Sequence, residues 1–316
     1  MGRTLSETGS PSGPPFRKAV TDPSYAAWEA AGLAWLAQAH GDPATGLGMS
    51  GLRAADHGRA DRGRADPGRA DHGRVDEAPE LDRLRRSRGA RVVQVLEVGA
   101  EGLVLERLVT RAGGPSSADA EEFGRALAAT HAAGADAFGW APVSEGADGW
   151  LGPADDPLPL PCRPTTTWGP FFAEQRILHT VHLGLERGVF TSTARIFEQV
   201  AARVSGGEFD GERADLAPAR LHGDLWSGNV MWTDDGAVLI DPAAHGGHRE
   251  TDLAMLALFG APHLDRIVAA YDEVSPLTQG WRDRVALHQL HPVMLHAVLF
   301  GGGYERQAVA TAERFS

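Results

Sequence analysis

Short apolar runs bounded by turn residues near the amino terminus, followed by long stretches of helical spacing, divide this chain into two unequal parts. Residues 14–20, PPFRKAV, read as a short strand. Asp22 as a cap with Pro23 at the first helical position then opens a helix, on which Trp28, Gly32, Trp35 and Leu36 fall on one apolar face. Glu29 flanks that face, either as an exposed acid favouring the helix dipole or as the partner of a nearby cation. ARVVQVLEVG and GLVLERLV, joined across Gly99 to Gly102, predict a hairpin or adjacent strands. A capping box at Ser116 and Asp119 starts the next helix, which Gly134 ends. Further helices are predicted over 169–186, 191–204, 251–259, 263–272, 281–299 and 303–314. The expected architecture is α+β and two-lobed, with a small β-containing part at 1–107, a larger, mainly helical part at 108–316, and a ligand cleft between them.

A different pattern interrupts the first part. The five-residue repeat R-A-D-x-G recurs at Arg59, Arg64 and Arg69 and decays at Arg74. With no apolar residue larger than valine it cannot bury enough surface to offset ordering, so 42–88 is expected to be a disordered insertion. The rest of the composition points to a globular chain: 316 residues, 42% hydrophobic, with a formal charge of −12. That acidity argues against nucleic acid as a partner. Cys162 stands alone, which rules out an internal disulfide and suits a reducing cytoplasm. No apolar run is long enough to span a membrane, and residues 1–15 lack the apolar core of a secretory signal.

Chemistry concentrates in one window. His222-Gly223-Asp224-Leu225-Trp226-Ser227-Gly228-Asn229 has the spacing of the protein-kinase catalytic loop H-R-D-L-x-x-x-N, with glycine in the arginine position. Two short strands around Asp235-Gly236 form a hairpin that returns Asp241 beside Asn229. Phosphoryl transfer needs an aimed nucleophile and neutralised phosphate charge. Asp224 fits the orienting or accepting base, while Asn229 and Asp241 offer the oxygen ligands that Mg²⁺ prefers. Lys18 is the chain's single lysine. An ammonium there would meet the α- and β-phosphates of ATP, with Glu29 holding it. His222 reads as a backbone prop, and a zinc group from His222, His245 and His248 matches no familiar ligand spacing.

These residues, with IDPAAHGGHRETDLAML, LVLERL and HPVMLHAVLFGGGY, resemble the fructosamine kinases, the ketosamine-3-kinase branch of the protein-kinase-like and aminoglycoside-phosphotransferase-like fold. The resemblance implies ATP- and Mg²⁺-dependent phosphorylation of the 3-hydroxyl of a ketosamine, free or on a glycated protein amine. It implies Asp224 as catalytic base, Asn229 and Asp241 as metal ligands, and Lys18 and Glu29 as the nucleotide-ordering pair. Glu106 and Leu108 fall where hinge backbone meets adenine, and Asp252 where a buried carboxylate braces the catalytic loop. Trp226, His248 and Trp168 are the candidate sugar or amine contacts. Without an arginine at position 223, activity is expected to need no phosphorylation. Only seventeen residues precede Lys18, where the fold normally carries a glycine-bearing phosphate hairpin. The expected N-lobe is therefore a shortened one, from a start recorded inside the coding region or from an incomplete ATP lid. Two alternatives stay open: a catalytically silent nucleotide binder, and a kinase for another amine-bearing alcohol of the aminoglycoside or choline type.

Overall fold

The structure, a computed structural model, describes residues 13–41, 88–143, 148–210 and 217–316. Nearly all of the 42–88 insertion lies outside the described residues. The lysine strand β1 (Phe16–Ala19) runs antiparallel to β4 (Gly102–Leu105), which pairs in turn with β3 (Val95–Gly99). Lys18 sits opposite Leu103 in this sheet. Gly102 is required where the strands close: its φ is +136°, and a Cβ there would stand 1.9 Å from the Lys18 carbonyl oxygen.

Three residues after β1 the chain turns into α1 (Pro23–His40), with Asp22 accepting the Ser24 amide at 2.8 Å and Pro23 in the first turn. The helix is itself rich in alanine and buries most of its circumference, Glu29 included. The expectation of one strand over ARVVQVLEVG fails at Gln94. Arg91–Val92 forms a separate strand, β2, which leaves the small sheet and pairs in parallel with β9 (Gly236–Leu239) of the larger lobe. The reason is local: the Glu106 carboxylate accepts both the Gln94 amide and the Arg91 guanidinium at 2.8 Å, which draws the chain out of register between the two short strands.

The larger lobe is mainly helical, as expected. After α2 (Ser117–Ala132), with its Ser116–Asp119 capping box, comes a hairpin the sequence pattern did not announce, β5 (Gly149–Leu151) and β6 (Leu158–Leu160). Helix α3 follows as one rod, Trp168–Phe172 and His179–Glu186 joined through a π-helical turn at Ala173–Leu178. Then come α4 (Ala194–Ser205), β7 (Ala219–Leu221), the hairpin of β8 (Val230–Thr233) with β9, and β10 (His245–Gly247), which pairs with β7. Four helices finish the lobe: α5 (Glu250–Leu258), α6 (Leu264–Val274), α7 (Trp281–Phe300) and α8 (Gly303–Ala312). Among the described residues no helix is long and apolar enough to cross a membrane.

Among the described residues two large apolar cores hold the lobes, with a smaller cluster around Trp28, Leu160 and Ala243 beside them. One joins Leu33 and Leu36 of α1, Leu103 and Leu105 of β4, Phe123 and Leu127 of α2, and Leu225 of the catalytic loop. The other fills the space among α3, α4 and α7 around Trp168, Phe171, Phe197, Leu290 and Met294. Each such side chain contributes about 1.5–3 kcal/mol by leaving water. Because α1 and Leu225 share the first core, the lysine strand and the catalytic loop are parts of one packed body.

Candidate active site

Helix α1 sets the first half of the site. Residues four apart share a helix face, so Tyr25 and Glu29 point the same way, toward β1. There the Lys18 ammonium donates to Glu29 Oε2 at 2.6 Å and to Asp241 Oδ1 at 2.9 Å. Burial pulls the Lys18 ammonium down, but the carboxylates of Asp241 and Glu29 outweigh it and hold the group above the ordinary lysine range. Burial likewise pushes the Glu29 carboxyl up, to about 7, against the pull of Lys18. The helix reaches this depth because Gly32 faces the segment after Asp241, where a Cβ would come within 3.1 Å of the Ala244 Cβ.

The second half lies on the catalytic loop and the β8–β9 hairpin. Ile240 donates its amide to the Asn229 carbonyl at 3.1 Å, which returns Asp241 beside the loop as the motif spacing predicts. Asp241 adopts φ 54°. That left-handed conformation costs a non-glycine residue about 1–3 kcal/mol and is the kind of strain concentrated at functional sites. Asn229 Nδ2 donates to the Asp224 carbonyl at 2.7 Å and to Asp224 Oδ2 at 3.2 Å, which leaves its amide oxygen turned away as a neutral acceptor. Burial, and then the charge of Asp241, raise the Asp224 carboxyl to about 7, with the bond from Asn229 opposing. A carboxylate poised there suits general-base chemistry near neutral pH.

Beneath the loop lies its brace. Fully buried Asp252 accepts the His222 amide at 2.8 Å, the Gly223 amide at 3.0 Å and His131 Nε2 at 3.1 Å. Burial pushes its carboxyl up, but the bonds and charge from His131 and the His222 amide outweigh that and hold it below the ordinary value. His222 donates from Nε2 to the Ile240 carbonyl at 2.9 Å, and its Nδ1 accepts the Asp224 amide at 3.3 Å, which fixes a neutral tautomer. Burial holds that imidazole below its ordinary pKa. With both ring nitrogens taken, His222 is a prop, and the zinc grouping with His245 and His248 does not form.

Gly223 has φ +83°, and a Cβ would stand 2.1 Å from the Ala243 carbonyl oxygen. No arginine fits at that position.

The other sequence-predicted residues separate clearly. Trp226 is exposed beside Asp224. Trp168 and His248 are each 1% exposed and pack with tilted rings at 5.3 Å in the second core, so the expectation that they meet substrate gives way to burial of large rings. The Glu106 carboxylate is engaged with Arg91 and the Gln94 amide, and Leu108 is buried in the first core, leaving only backbone to face a base. Another buried group, His248, Glu250 and His288, brings ligand atoms within 4.8 Å of one another. Glu250 is bonded through both oxygens to Arg284, and His248 Nδ1 accepts the Glu250 amide, so this is an ion-pair network.

Four further neighbours of the site were not singled out in the sequence. Tyr25 lies with its ring centroid 5.5 Å from the Lys18 nitrogen. His131 braces Asp252 from the end of α2. Phe259 and His296 continue the exposed ring of Trp226, at centroid separations of 6.1 Å and then 5.2 Å.

A family model, fructosamine kinase, matches residues 72–315. The chain belongs to the fructosamine kinase family. Among relatives of this kinase family, a probable ketoamine kinase of Klebsiella aerogenes is 34% identical over 75% of the chain and 77% of its own length. A second, from Synechocystis, is 37% identical but aligns over 58% of each protein. A crystal structure from Thermobifida fusca, provisionally named a fructosamine-3-kinase, is 47% identical, with a TM-score of 0.63 over 77% of this chain and 82% of that one. A similarly named structure from Haemophilus somnus, 24% identical with a TM-score of 0.60, shares the fold. The two-lobed, protein-kinase-like α+β architecture expected from the sequence is the one observed.

Proposed function

We propose that this fructosamine kinase family member uses ATP and magnesium to phosphorylate the 3-hydroxyl of ketosamines, sugars joined to amines by glycation, free or on protein. The observation that carries the reading is the Lys18 ammonium held between Glu29 and Asp241, 11 and 223 residues away, with Asp224 and Asn229 alongside. Stabilising a buried ammonium against two carboxylates has an evident purpose where nucleotide phosphates must be met. The donor set fits a hard cation: Asp241 supplies a half-exposed carboxylate and Asn229 a neutral oxygen. When bound, magnesium would neutralise charge growing on the phosphate oxygens.

Asp224 would orient the sugar hydroxyl and accept its proton, and its raised carboxyl supports that role. The exposed face of Trp226, extended by Phe259 and His296, would take the ring or the amine carrier of the acceptor. Incubation with fructose- or ribulose-modified lysine and labelled ATP should transfer phosphate. Asp224→Asn should abolish that transfer with the melting temperature preserved. Equal labelling by the variant would refute the assignment. A wild-type chain that binds ATP but phosphorylates no amine-linked sugar would favour the silent nucleotide binder or a different alcohol acceptor.

A further inference from the structure

In the protein-kinase-like fold the lysine–glutamate pair must be assembled, and control of the glutamate's helix is the usual means of regulation. Here the helix is fastened to the larger lobe along its length. At its carboxy-terminal half, Arg220 of β7 donates to the Trp35 carbonyl at 2.6 Å and stacks on the Trp35 ring. In the middle, Gly32 rests on Ala244. At the amino-terminal end the β5–β6 hairpin makes a series of bonds. Thr21 donates to the Ala154 carbonyl at 2.9 Å, Trp150 Nε1 donates to Ser24 Oγ at 3.0 Å, and the Tyr25 hydroxyl donates to the Gly152 carbonyl at 3.2 Å. Gly149 leaves room for the Trp28 ring, which a Cβ would approach to 2.4 Å. The far side of the hairpin rests on the larger lobe, with the Gly152 Cβ position 3.5 Å from Leu299 of α7.

Tyr25 links this hairpin to the ion pair. Tyr25 is 9% exposed, and its ring lies 5.5 Å from the Lys18 nitrogen, inside cation–π range, while its hydroxyl is tied to Gly152. It stands one helical turn before Glu29, on the same face. We propose that the β5–β6 hairpin is a built-in strap that holds α1 in its ion-paired position, and that Tyr25 is the positioning residue through which it orients Lys18. The inference rests on the nucleotide-site reading above and supplies its regulation: the catalytic pair is locked by the fold itself. This accords with Gly223, whose surroundings leave no room for the arginine through which a phosphorylated loop would act.

The test is read on nucleotide affinity, with turnover measured separately. The Mg·ATP dissociation constant is determined calorimetrically for wild type, Tyr25→Phe, Tyr25→Leu, Ser24→Ala, Glu29→Gln and the Tyr25→Leu/Glu29→Gln double variant. Loss of the hydroxyl bond in Tyr25→Phe should weaken ATP binding about five-fold. Removing the ring as well, in Tyr25→Leu, should weaken it by about ten-fold or more. The double variant should be no worse than the weaker single, because both residues act on the same ammonium. Ser24→Ala, which frees the Trp150 end of the strap outside the cleft, should weaken binding in the same direction. A residue with only a packing role would lower the melting temperature and leave these affinities and their non-additivity unmoved. Affinities within two-fold of wild type, or losses that add, overturn the strap. If Tyr25→Leu does not fold, Tyr25→Phe and Ser24→Ala decide by the same criteria. A protein showing these graded losses but phosphorylating no ketosamine keeps the strap and discards the acceptor assignment. A wild-type protein that binds no Mg·ATP overturns both.

Discussion

Replacing Asp252 by asparagine removes a charge without removing volume, and the structure sets what that must do. Asp252 Oδ1 accepts the Gly223 amide, and Oδ2 accepts both the His222 amide and His131. An asparagine amide has one acceptor and one donor end. Turned one way, its nitrogen faces the Gly223 N–H; turned the other, it faces two donors. At least one backbone donor is therefore stranded beneath the loop. The bonds that survive lose their ionic character. A hydrogen bond to a charged group contributes about 1.5–3 kcal/mol and a stranded donor costs about 1–3, so a loss of about 3 kcal/mol is the expected scale. For a chain of this size that lowers the melting temperature by about 4–6 °C. Urea denaturation at several pH values gives a second check. The folded carboxyl is held below its ordinary value, so its contribution is present above the unfolded pKa of about 4 and is lost as pH falls through the folded one. The gap between wild type and Asp252→Asn should be full at pH 7 and narrow below pH 4. Because Gly223 precedes Asp224, kcat should also fall, with KM for ATP little changed. A melting shift under 2 °C at pH 7, or a gap that widens in acid, would refute the brace.

Gly223→Ala should fail at the same loop for a steric reason: the left-handed φ costs about 1–2 kcal/mol, before the overlap with the Ala243 carbonyl, and both the melting temperature and kcat should fall. Lys18→Arg keeps the charge but places a planar fork where one nitrogen meets two oxygens at 2.6 and 2.9 Å; steady-state kinetics should show kcat/KM for ATP reduced about a hundred-fold, the effect of a small misplacement of a reacting group. For Glu250, burial raises the carboxyl, but the bonds from His288 and Arg284 outweigh it and hold it at about 2. Its stabilisation is present above the unfolded value of about 4.5 and is lost as pH falls toward 2. Glu250→Gln should therefore flatten the acid limb of stability between those values in a denaturant titration.

What the sequence disclosed was chemistry that short spacing fixes. Asp224, Asn229 and Asp241 lie within one loop and one hairpin, so turn geometry alone brings them together, and the Asp22–Pro23 start of α1 is visible for the same reason. The parallel pairing of β2 with β9 and the β5–β6 hairpin were not legible. Strands of two or three residues, one containing proline, carry no usable period and are defined by partners elsewhere in the chain. Trp168 and His248 were read as contacts because aromatic and imidazole groups serve binding and burial alike. Only their position in the second core decides between the two.

Glu29 shows where the boundary falls. An α1 rich in alanine offers no polar face against which a lone glutamate looks out of place, so its sequence is compatible with exposure or burial. The depth of the helix depends on Gly32 against Ala244, on Arg220 reaching the Trp35 carbonyl, and on Tyr25 reaching the Gly152 carbonyl. Each contact spans more than 120 residues of sequence, and none is made by a residue that local spacing marks out. The ammonium, the carboxylates and the loop can therefore be named from motifs, while their assembly into one site follows from packing between lobes. Gly223 joins the two levels: its missing side chain is visible in the sequence as a lost arginine, but the Ala243 carbonyl that makes glycine obligatory is a consequence of the fold. A site locked by such contacts should hold its lysine–glutamate pair whether or not any residue of the chain is phosphorylated.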